Sequence, residues 1–376
     1  MSAGGIIFSN IHDHGIPELT KMRTMGSVPF GCRYRLIDFS LSNMVNAGIS
    51  TIGIITHYNY QSLMDHLGTG KDWDLARRSG GIKISPPFIN AYSDKEEKLY
   101  THRLEAIRGI FTFIKDLTDE YVVFCDCDAI CNMDLREILA KHIDSGAEMT
   151  MVIKNIFVTG SEDSDVTIVN SDRSGKMTGI RIAGDADNGF FDVSLNVCVF
   201  TRQYLISLIF DSIARQYKSF RNELIPRRLQ SDRILVTRYD GYYAAIGSLS
   251  DYYKCSMDLL NAEVRNSLFN VEQRPILTKV RNSPPAYYAP GSRVSSSLVA
   301  DGCKIEGTVE NSILFRGVRV DKGAVVKNSI LMQDAICGEG SFVNCLIADK
   351  NVVIRDGRML SGHETRPFFI EKNAMV

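Results

Sequence analysis

Apolar residues in the first two thirds of the chain form short continuous runs, separated by stretches with helical spacing. Such runs are typical of strands buried on both faces, and they lie at 6–8, 52–56 and 121–125. Helical spacing in 41–48 and 104–114 predicts helices between them, joined to the strands by right-handed parallel crossovers. The polar stretch 68–98 predicts a long loop, and the pattern after residue 166 predicts an antiparallel hairpin. The sequence therefore predicts an α/β domain with a mixed sheet over residues 1–262.

Near the C-terminus the spacing of apolar residues changes to six. Seven consecutive positions follow this spacing: Val318, Ala324, Ile330, Ile336, Phe342, Ala348 and Ile354. A six-residue recurrence is the signature of a parallel β-helix built from hexapeptide turns. We predict a left-handed parallel β-helix of hexapeptide repeats over 298–376, after a proline- and serine-rich linker at 263–297. The open ends and flat faces of such a coil favour docking against another subunit.

The composition is that of a soluble globular protein: 376 residues, 44% apolar and 23% charged, with a net charge of -1. No basic stripe is apparent, which argues against a nucleic-acid or membrane-surface partner. The N-terminal residues lack the features of a leader, and no window reaches the roughly 20 apolar residues of a membrane helix. The nine cysteines do not show the paired spacings of secreted chains. We expect a cytoplasmic protein.

A long motif lies between residues 28 and 43. It reads Val-Pro-Phe-Gly at 28–31, Arg-Tyr-Arg at 33–35, Ile-Asp-Phe at 37–39 and Leu-Ser-Asn at 41–43. This segment resembles the framework motif of ADP-glucose pyrophosphorylases, or glucose-1-phosphate adenylyltransferases, which make the glucosyl donor for glycogen and starch from ATP and glucose 1-phosphate. The resemblance implies a Rossmann-like, GT-A-like nucleotidyltransferase domain. More specifically, the chain resembles the divergent subunits that some bacteria carry beside a catalytic subunit.

The family's phosphate-binding residues are missing from the matching positions. Residues 10–15 stand where the family has a glycine-rich loop with an arginine, and they contain one glycine, Gly15. Only glycines let backbone N–H groups approach a phosphate closely, so this loop is a poor anion site. The family's lysine that faces the leaving pyrophosphate corresponds to Met25, and its sugar-phosphate lysine falls within 182–184, which reads Ile-Ala-Gly.

The family's pair of metal-binding carboxylates is reduced to one. Asp128 matches the first carboxylate, and the second position is Ala245. Asp128 is thus a vestigial catalytic residue and a candidate Mg²⁺ ligand, and no catalytic set remains intact. We expect no required cofactor, and Mg²⁺ only if residual activity exists. His102 and Arg103 replace the small pair that leaves room for the ligand.

Several other charged residues have two readings. The sequence His12-Asp13-His14 is interpreted as a solvated polar loop, with a metal site as the alternative. Arg33 and Arg35 are interpreted as surface arginines, or as binders of an effector anion because the family's effector site lies near this segment. The same alternatives, interface pairing or anion binding, apply to Arg316 and Arg319 on the coil.

Two functions follow from the resemblance. The first is a non-catalytic or impaired regulatory subunit that assembles with a catalytic ADP-glucose pyrophosphorylase in a heterotetramer, a homo-oligomer being the alternative assembly. The second is an active nucleotidyltransferase with a rebuilt site that uses His102, Arg103 and Asp128. An acyltransferase on the coil is disfavoured, because the only histidine there is His363, at the tail.

Overall fold

The computed structural model describes residues 2–86, 102–160 and 165–376. The strands of its α/β part are β1 (Ala3–Phe8), β2 (Pro29–Phe30), β3 (Tyr34–Arg35), β4 (Thr51–Ile55), β5 (Gly81–Ser85), β6 (Tyr121–Asp126), β7 (Ala129–Ile130), β8 (Met149–Thr159), β9 (Thr167–Ser171), β10 (Met177–Ile182), β11 (Asn188–Thr201), β12 (Ile234–Arg238) and β13 (Ala244–Ala245). The α-helices are α1 (Pro17–Thr20), α2 (Leu36–Asn46), α3 (Gln61–Leu67), α4 (Arg103–Gly109), α5 (Phe111–Asp116), α6 (Leu135–Ser145), α7 (Arg202–Ala214), α8 (Ile225–Arg228), α9 (Leu249–Asp258) and α10 (Ala262–Phe269).

Nine of these strands form one mixed sheet. Strands β6, β1, β4 and β5 are parallel neighbours in that order. The long strand β11 pairs antiparallel with β6 on one edge and with β8 and β9 beyond it. The hairpin β9–β10 then extends the sheet. Parallel crossovers at the centre and an antiparallel extension at one side give the mixed sheet that the sequence predicts.

Alternation along β1 assigns its side chains to two cores. Ile6 and Phe8 belong to a core with α4, α5 and α7, whereas Ile7 belongs to a core with α2 and α6. Each of these three side chains is 0–1% exposed. Burial on both faces explains why the strand is a continuous apolar run rather than an alternating one.

The predicted strands at 6–8, 52–56 and 121–125 and the predicted hairpin are confirmed. The loop predicted over 68–98 is wrong at 81–85, where β5 adds a parallel strand beside β4. The remainder of that stretch from residue 87 lies outside the described residues. The helix predicted over 104–114 is divided at Ile110 into α4 and α5.

The C-terminal region is a coil of three parallel five-stranded sheets. One sheet contains β14 (Tyr287–Tyr288), β17 (Lys304–Ile305), β20 (Arg319–Val320), β23 (Ile336–Cys337) and β26 (Val353–Ile354). The second contains β15 (Arg293–Ser295), β18 (Thr308–Glu310), β21 (Val325–Lys327), β24 (Phe342–Asn344) and β27 (Met359–Ser361). The third contains β16 (Leu298–Val299), β19 (Ile313–Leu314), β22 (Ile330–Leu331), β25 (Leu346–Ala348) and β28 (Phe368–Ile370). The predicted left-handed β-helix of hexapeptide repeats is confirmed.

Five of the seven predicted apolar positions are buried in the coil, and Ile336 and Phe342 are only half-buried. Their neighbours Cys337 and Val343 are fully buried instead. The register accounts for the difference: a turn of 17 residues pairs Ile336 with the exposed Arg319 and Cys337 with the buried Val320, whereas a strict repeat of 18 would align Ile336 with Val318. One side of each such turn is therefore a residue shorter than a strict hexapeptide.

Buried polar contacts join the coil to the α/β part. Arg23 donates two hydrogen bonds to Asp349, at 3.0 and 2.6 Å, and both residues are 2–3% exposed. The Tyr253 hydroxyl donates to the backbone oxygen of Asn328 at 2.6 Å.

The predicted linker, 263–297, contains most of α10 and the first coil strands, β14 and β15. None of the described helices has the length and apolar character needed to cross a membrane.

Candidate functional site

A cleft lies at the carboxyl ends of β1 and β6, beside the β9–β10 hairpin. Its volume is about 950 Å³. This position, beyond the carboxyl ends of parallel strands, is where open α/β sheets bind ligands. The charged and polar residues that line it include His12, His14, Asp128, Asp165, Thr167, Asn196, Asp251 and Lys254.

The loop after β1 contacts neighbouring backbone groups of the same chain. The Met25 N–H donates to Asp13 Oδ1 at 2.7 Å, and burial raises the pKa of Asp13 to about 7. A side chain at Gly15 would place its Cβ 2.6 Å from the Gly247 oxygen, so the loop lies directly against that backbone. This arrangement agrees with the expectation that the loop is not a phosphate cradle, because Asp13 places a carboxyl group within it and Gly15 lies against the Gly247 backbone.

Both lysine positions of the family are occupied by buried apolar groups. Met25 is 0% exposed and belongs to the core beneath the loop. Ala183 is 4% exposed and packs in a small cluster with Val158, Ile168 and Val193. Neither position therefore presents a cation to the cleft.

The reading of His12 as part of a solvated loop is wrong. Its side chain is only 14% exposed and lies among three carboxylates. Nε2 lies 2.8 Å from Asp126 Oδ2 and 3.5 Å from Asp128 Oδ2, and Nδ1 lies 3.2 Å from Asp165 Oδ2. Burial alone would lower the pKa of His12, but the surrounding carboxylates raise it well above its ordinary value.

Arg103 approaches the same carboxylate from α4. Its Nη2 contacts Asp126 Oδ2, the oxygen that also faces His12, and its guanidinium lies 5.2 Å from the centre of the Phe8 ring. Nη1 lies 3.4 Å from Asn196 Oδ1. Asn196 has φ +56° within a register shift of β11, and such bulges redirect side chains near functional sites.

The other residue of the proposed rebuilt site, His102, is exposed just before α4 and does not line the cleft. Arg103 and Asp128 are thus brought to the same cluster and His102 is not. Sequence reasoning missed Asp165 and Arg221, which contact each other beside the hairpin. Asp165 directly precedes the predicted hairpin, but no local pattern signals its contact with His12.

The structure places Ala245 beside Asp128, as the motif comparison expects. Ala245 pairs with Ala129, and the next residue, Ile246, donates its N–H to the Asp128 backbone oxygen at 2.9 Å. Burial raises the pKa of the Asp128 carboxyl. A methyl group therefore stands at the position where the resemblance implies a second metal-binding carboxylate.

These residues do not fit a Mg²⁺ ion. Mg²⁺ requires oxygen ligands at about 2.0–2.1 Å in near-octahedral geometry. The ligand atoms of His12, Asp126 and Asp128 lie within 4.8 Å of one another, but Asp126 Oδ2 already faces two nitrogen donors. With Ala245 nearby instead of an acid, the cluster offers one open carboxylate rather than a pair.

A second pocket, the interdomain pocket, lies between the framework motif and the coil. Its cationic lining residues are Arg33, Arg35, Lys279, Arg281, Arg316 and Lys350, and no acidic residue is among those that line it. Burial lowers the pKa of Arg35 to about 10, and burial together with Arg35 and Arg23 lowers the pKa of Lys350 to about 7. Positive charge concentrated in this way favours an anion.

Three of the four candidate arginines, Arg33, Arg35 and Arg316, line the interdomain pocket, and Arg319 does not. Arg35 is 7% exposed and donates to the Ser62 backbone and hydroxyl oxygens, both at 2.7 Å, so it is not a surface arginine. Arg33 is exposed at the pocket, and Arg316 reaches it while donating to Asp301 at 3.1 Å. Arg319 is 48% exposed, pairs with Asp321 at 3.0 Å and lies outside the pocket.

The fold and the cleft define a nucleotidyltransferase scaffold joined to a hexapeptide coil. Residues 16–180 match the nucleotidyl transferase family, and residues 287–366 match the GlmU-like C-terminal hexapeptide family. The chain is 33% identical to the glycogen biosynthesis protein GlgD of Bacillus subtilis (strain 168), over 98% of this chain and 95% of that protein. It is 32% identical to the glucose-1-phosphate adenylyltransferase of Bacillus cereus (strain Q1), over 92% and 91%. The enzyme of that name from Thermosipho africanus is 33% identical, over 82% and 74%.

The chain belongs to the glucose-1-phosphate adenylyltransferase family, whose other common name is ADP-glucose pyrophosphorylase.

Proposed function

We propose that this chain is a non-catalytic or catalytically impaired regulatory subunit of glucose-1-phosphate adenylyltransferase in bacterial glycogen biosynthesis. It assembles with a catalytic subunit in a cytoplasmic heterotetramer and modulates ADP-glucose synthesis from ATP and glucose 1-phosphate. It needs no cofactor of its own. The observation that carries this proposal is the cleft, where the positions of both phosphate-binding lysines are buried and apolar while His12 and Arg103 contact the remaining carboxylates.

The size of the catalytic loss follows from the number of missing groups. Removing one preorganised group that stabilises transition-state charge costs about 10²–10³-fold in rate. Met25 and Ala183 each replace a cation, and Ala245 replaces a metal ligand. Losses within one site are not additive, but together they exceed roughly 10⁴-fold. The chain alone is therefore expected to release almost no pyrophosphate.

We further propose that the interdomain pocket binds an effector anion, such as a sugar phosphate. Arg33 and Arg35 come from the framework segment, and Arg316 and Lys350 come from the coil. An anion between them would link the two parts of the molecule by charge-assisted hydrogen bonds. If the partner subunit contacts the coil, the anion can alter that contact, which is the differential interaction that allosteric coupling requires.

The experiment compares pyrophosphate release by this chain alone, by a catalytic homologue alone and by their 1:1 mixture, with ATP, glucose 1-phosphate and Mg²⁺. We expect no signal from this chain, and a changed turnover number or effector response in the mixture. Failure to form a complex or to alter the partner's kinetics would contradict the proposal.

The alternative function is an active enzyme with a rebuilt site. It is favoured by one cluster in which Arg103 contacts Asp126 while Asp128 contacts His12. The same assay decides it. Turnover by the chain alone that Asp128→Ala abolishes would establish the alternative. Turnover that Asp128→Ala leaves unchanged would indicate a contaminating enzyme.

A further inference from the structure

A chain of ion pairs crosses the cleft from α4 to the hairpin. It runs from Arg103 to Asp126, then through His12 to Asp165 and on to Arg221, and Asp128 contacts His12 from the side. Its members come from the loop after β1, the end of β6, the start of α4, the segment before β9 and the turn before α8. The chain therefore connects parts of the domain that are far apart in sequence.

The contacts of His12 fix its charge. Each of its two ring nitrogens faces a carboxylate oxygen, at 2.8 Å on one side and 3.2 Å on the other. A neutral imidazole has one N–H, so both nitrogens donate only when the ring is an imidazolium. The three carboxylates Asp126, Asp128 and Asp165 are then balanced by three cations, His12, Arg103 and Arg221.

We propose that His12 and Arg103 are built-in counterions that take the place of a divalent cation at the end of β6, and that this ion-pair chain fastens residues 10–15 to the β9–β10 hairpin. Asp126 Oδ2 faces both cations, which leaves it no free lone pair for a metal. Asp126 Oδ1 is buried and has no hydrogen-bond partner among the described residues, so removing the two cations would expose a carboxylate with open oxygens. The inference concerns this chain alone and does not depend on a partner subunit.

Mn²⁺ binding to the full chain, followed by electron paramagnetic resonance, tests the first part. We expect no binding by the wild type below about 1 mM, and at least tenfold tighter binding by His12→Gln/Arg103→Gln, because carboxylates with open oxygens bind such ions. Adding Asp128→Asn to that double variant should remove the gain. His14→Gln is the matched control, since His14 is an exposed histidine of the same loop, and it should behave as the wild type.

Two results would overturn this part. One is tight Mn²⁺ binding by the wild type that both His12→Gln and Asp128→Asn weaken, which would identify a histidine-carboxylate metal site instead. The other is a folded double variant, judged by circular dichroism, that gains no binding.

Hydrogen exchange tests the second part and does not require the double variant to fold. Asp165→Asn alters a side chain that is 50% exposed, so packing is preserved. We expect amide exchange to rise by about tenfold both in residues 10–15 and in β9. Asp187→Asn is the control, because Asp187 pairs with Arg181 on the same hairpin but not with His12. Unchanged exchange of residues 10–15 in Asp165→Asn would show that the ion-pair chain does not fasten the loop.

Discussion

The cleft and the interdomain pocket are both lined by charged side chains, and they differ in how those charges are paired. In the cleft, carboxylates at the end of β6 face His12 and Arg103 at hydrogen-bonding distance. In the interdomain pocket, six cationic residues converge without an acid among the lining residues, and the pKa of Lys350 falls to about 7. The first arrangement is complete without a ligand, whereas an anion would complete the second.

A chain can therefore resemble an enzyme family closely without retaining the activity of that family. The framework segment keeps α2 and its buried contacts, including Asp38, which accepts from the Arg35 N–H at 2.9 Å and contacts His66 at 2.6 Å. A buried charge must be paired or it destabilises the fold. In the cleft this requirement is met internally, because Asp126 contacts His12 and Arg103. The pattern of charge pairing therefore gives a way to test which of the two pockets takes a ligand.

The largest expected effect comes from a paired cation next to the interdomain pocket. Arg23→Ala leaves the Asp349 carboxylate buried without its partner, so we expect a loss of about 3–5 kcal/mol in the free energy of unfolding. Urea denaturation of the wild type and of the variant measures this loss. Lys21→Ala is the matched control, because its pair with Glu371 joins the same two regions but is 65–68% exposed. It should cost at most about 1 kcal/mol. Equal costs for the two variants would contradict the role of burial.

The next effect tests the cations of the interdomain pocket, with sulfate as the probe. At a hundred times its dissociation constant, sulfate is expected to stabilise the wild type by about 2.7 kcal/mol. Arg33→Ala and Lys350→Met should each lose most of this stabilisation, measured by thermal unfolding. Arg319→Ala is the control, because Arg319 lies outside the pocket. Sulfate also stabilises proteins without binding, so equal stabilisation of all variants would exclude the site.

The stabilisation of the protein by sulfate should depend on pH because of Lys350. Its pKa is lowered to about 7 by burial and by Arg35 and Arg23, whereas an unfolded lysine keeps a pKa of about 10.4. The unfolded chain then binds more protons between these values, so stability rises with pH from about 7 upward. Sulfate favours the charged lysine and remains a dianion throughout. It should therefore stabilise the protein more at pH 6 than at pH 9, and Lys350→Met should remove that difference.

Two histidines sharpen the contrast between paired and unpaired groups, with a smaller effect. His12, among carboxylates, has a raised pKa, so its stabilising contribution is complete below about pH 6.5 and is lost as pH rises through the folded value. His142, whose pKa is lowered to about 4 by burial, contributes above about pH 6.5 and loses this as pH falls.

Glutamine substitutions separate the two histidines in urea denaturation at several pH values. His142→Gln should flatten the stability curve on the acid side, and His12→Gln should flatten it on the alkaline side. Curves that change on the same side for both variants would show that the carboxylates do not hold His12 in its charged form.

Much of the fold could be predicted because its signals are local. The buried strand at 6–8 is a continuous apolar run, and the coil repeats its apolar positions regularly. The phase of that repeat could not be predicted beyond Ile330, because the turns advance by 17 residues, so Ile336 takes the outward position of Arg319 and Cys337 is buried instead. The length of a turn depends on backbone pairing between successive turns, which a single apolar spacing does not contain.

The sequence predicts which positions of the site lack the family's residues, but it does not predict which contacts the new residues make. Met25 and Ala245 could be read directly against the family motif. The contact of His12 with Asp165 joins residues more than 150 positions apart and depends on where the hairpin crosses the cleft. Local sequence patterns report on neighbours along the chain, so a histidine in a polar loop gives no sign of a tertiary ion pair.

The smallest expected effect is that of restoring the family's missing carboxylate with Ala245→Asp. Ala245 is exposed in a two-stranded pair beside Asp128, so the free energy of unfolding should change by at most about 0.5 kcal/mol. The affinity for Mn²⁺ should rise by less than about tenfold, because His12 and Arg103 still face Asp126. Ala245→Asn, which has a similar shape and no charge, controls for a local packing change. Tight binding by Ala245→Asp alone would mean that the cleft lacks only an acid, and the contrast with the interdomain pocket would then rest on one substitution rather than on internal pairing.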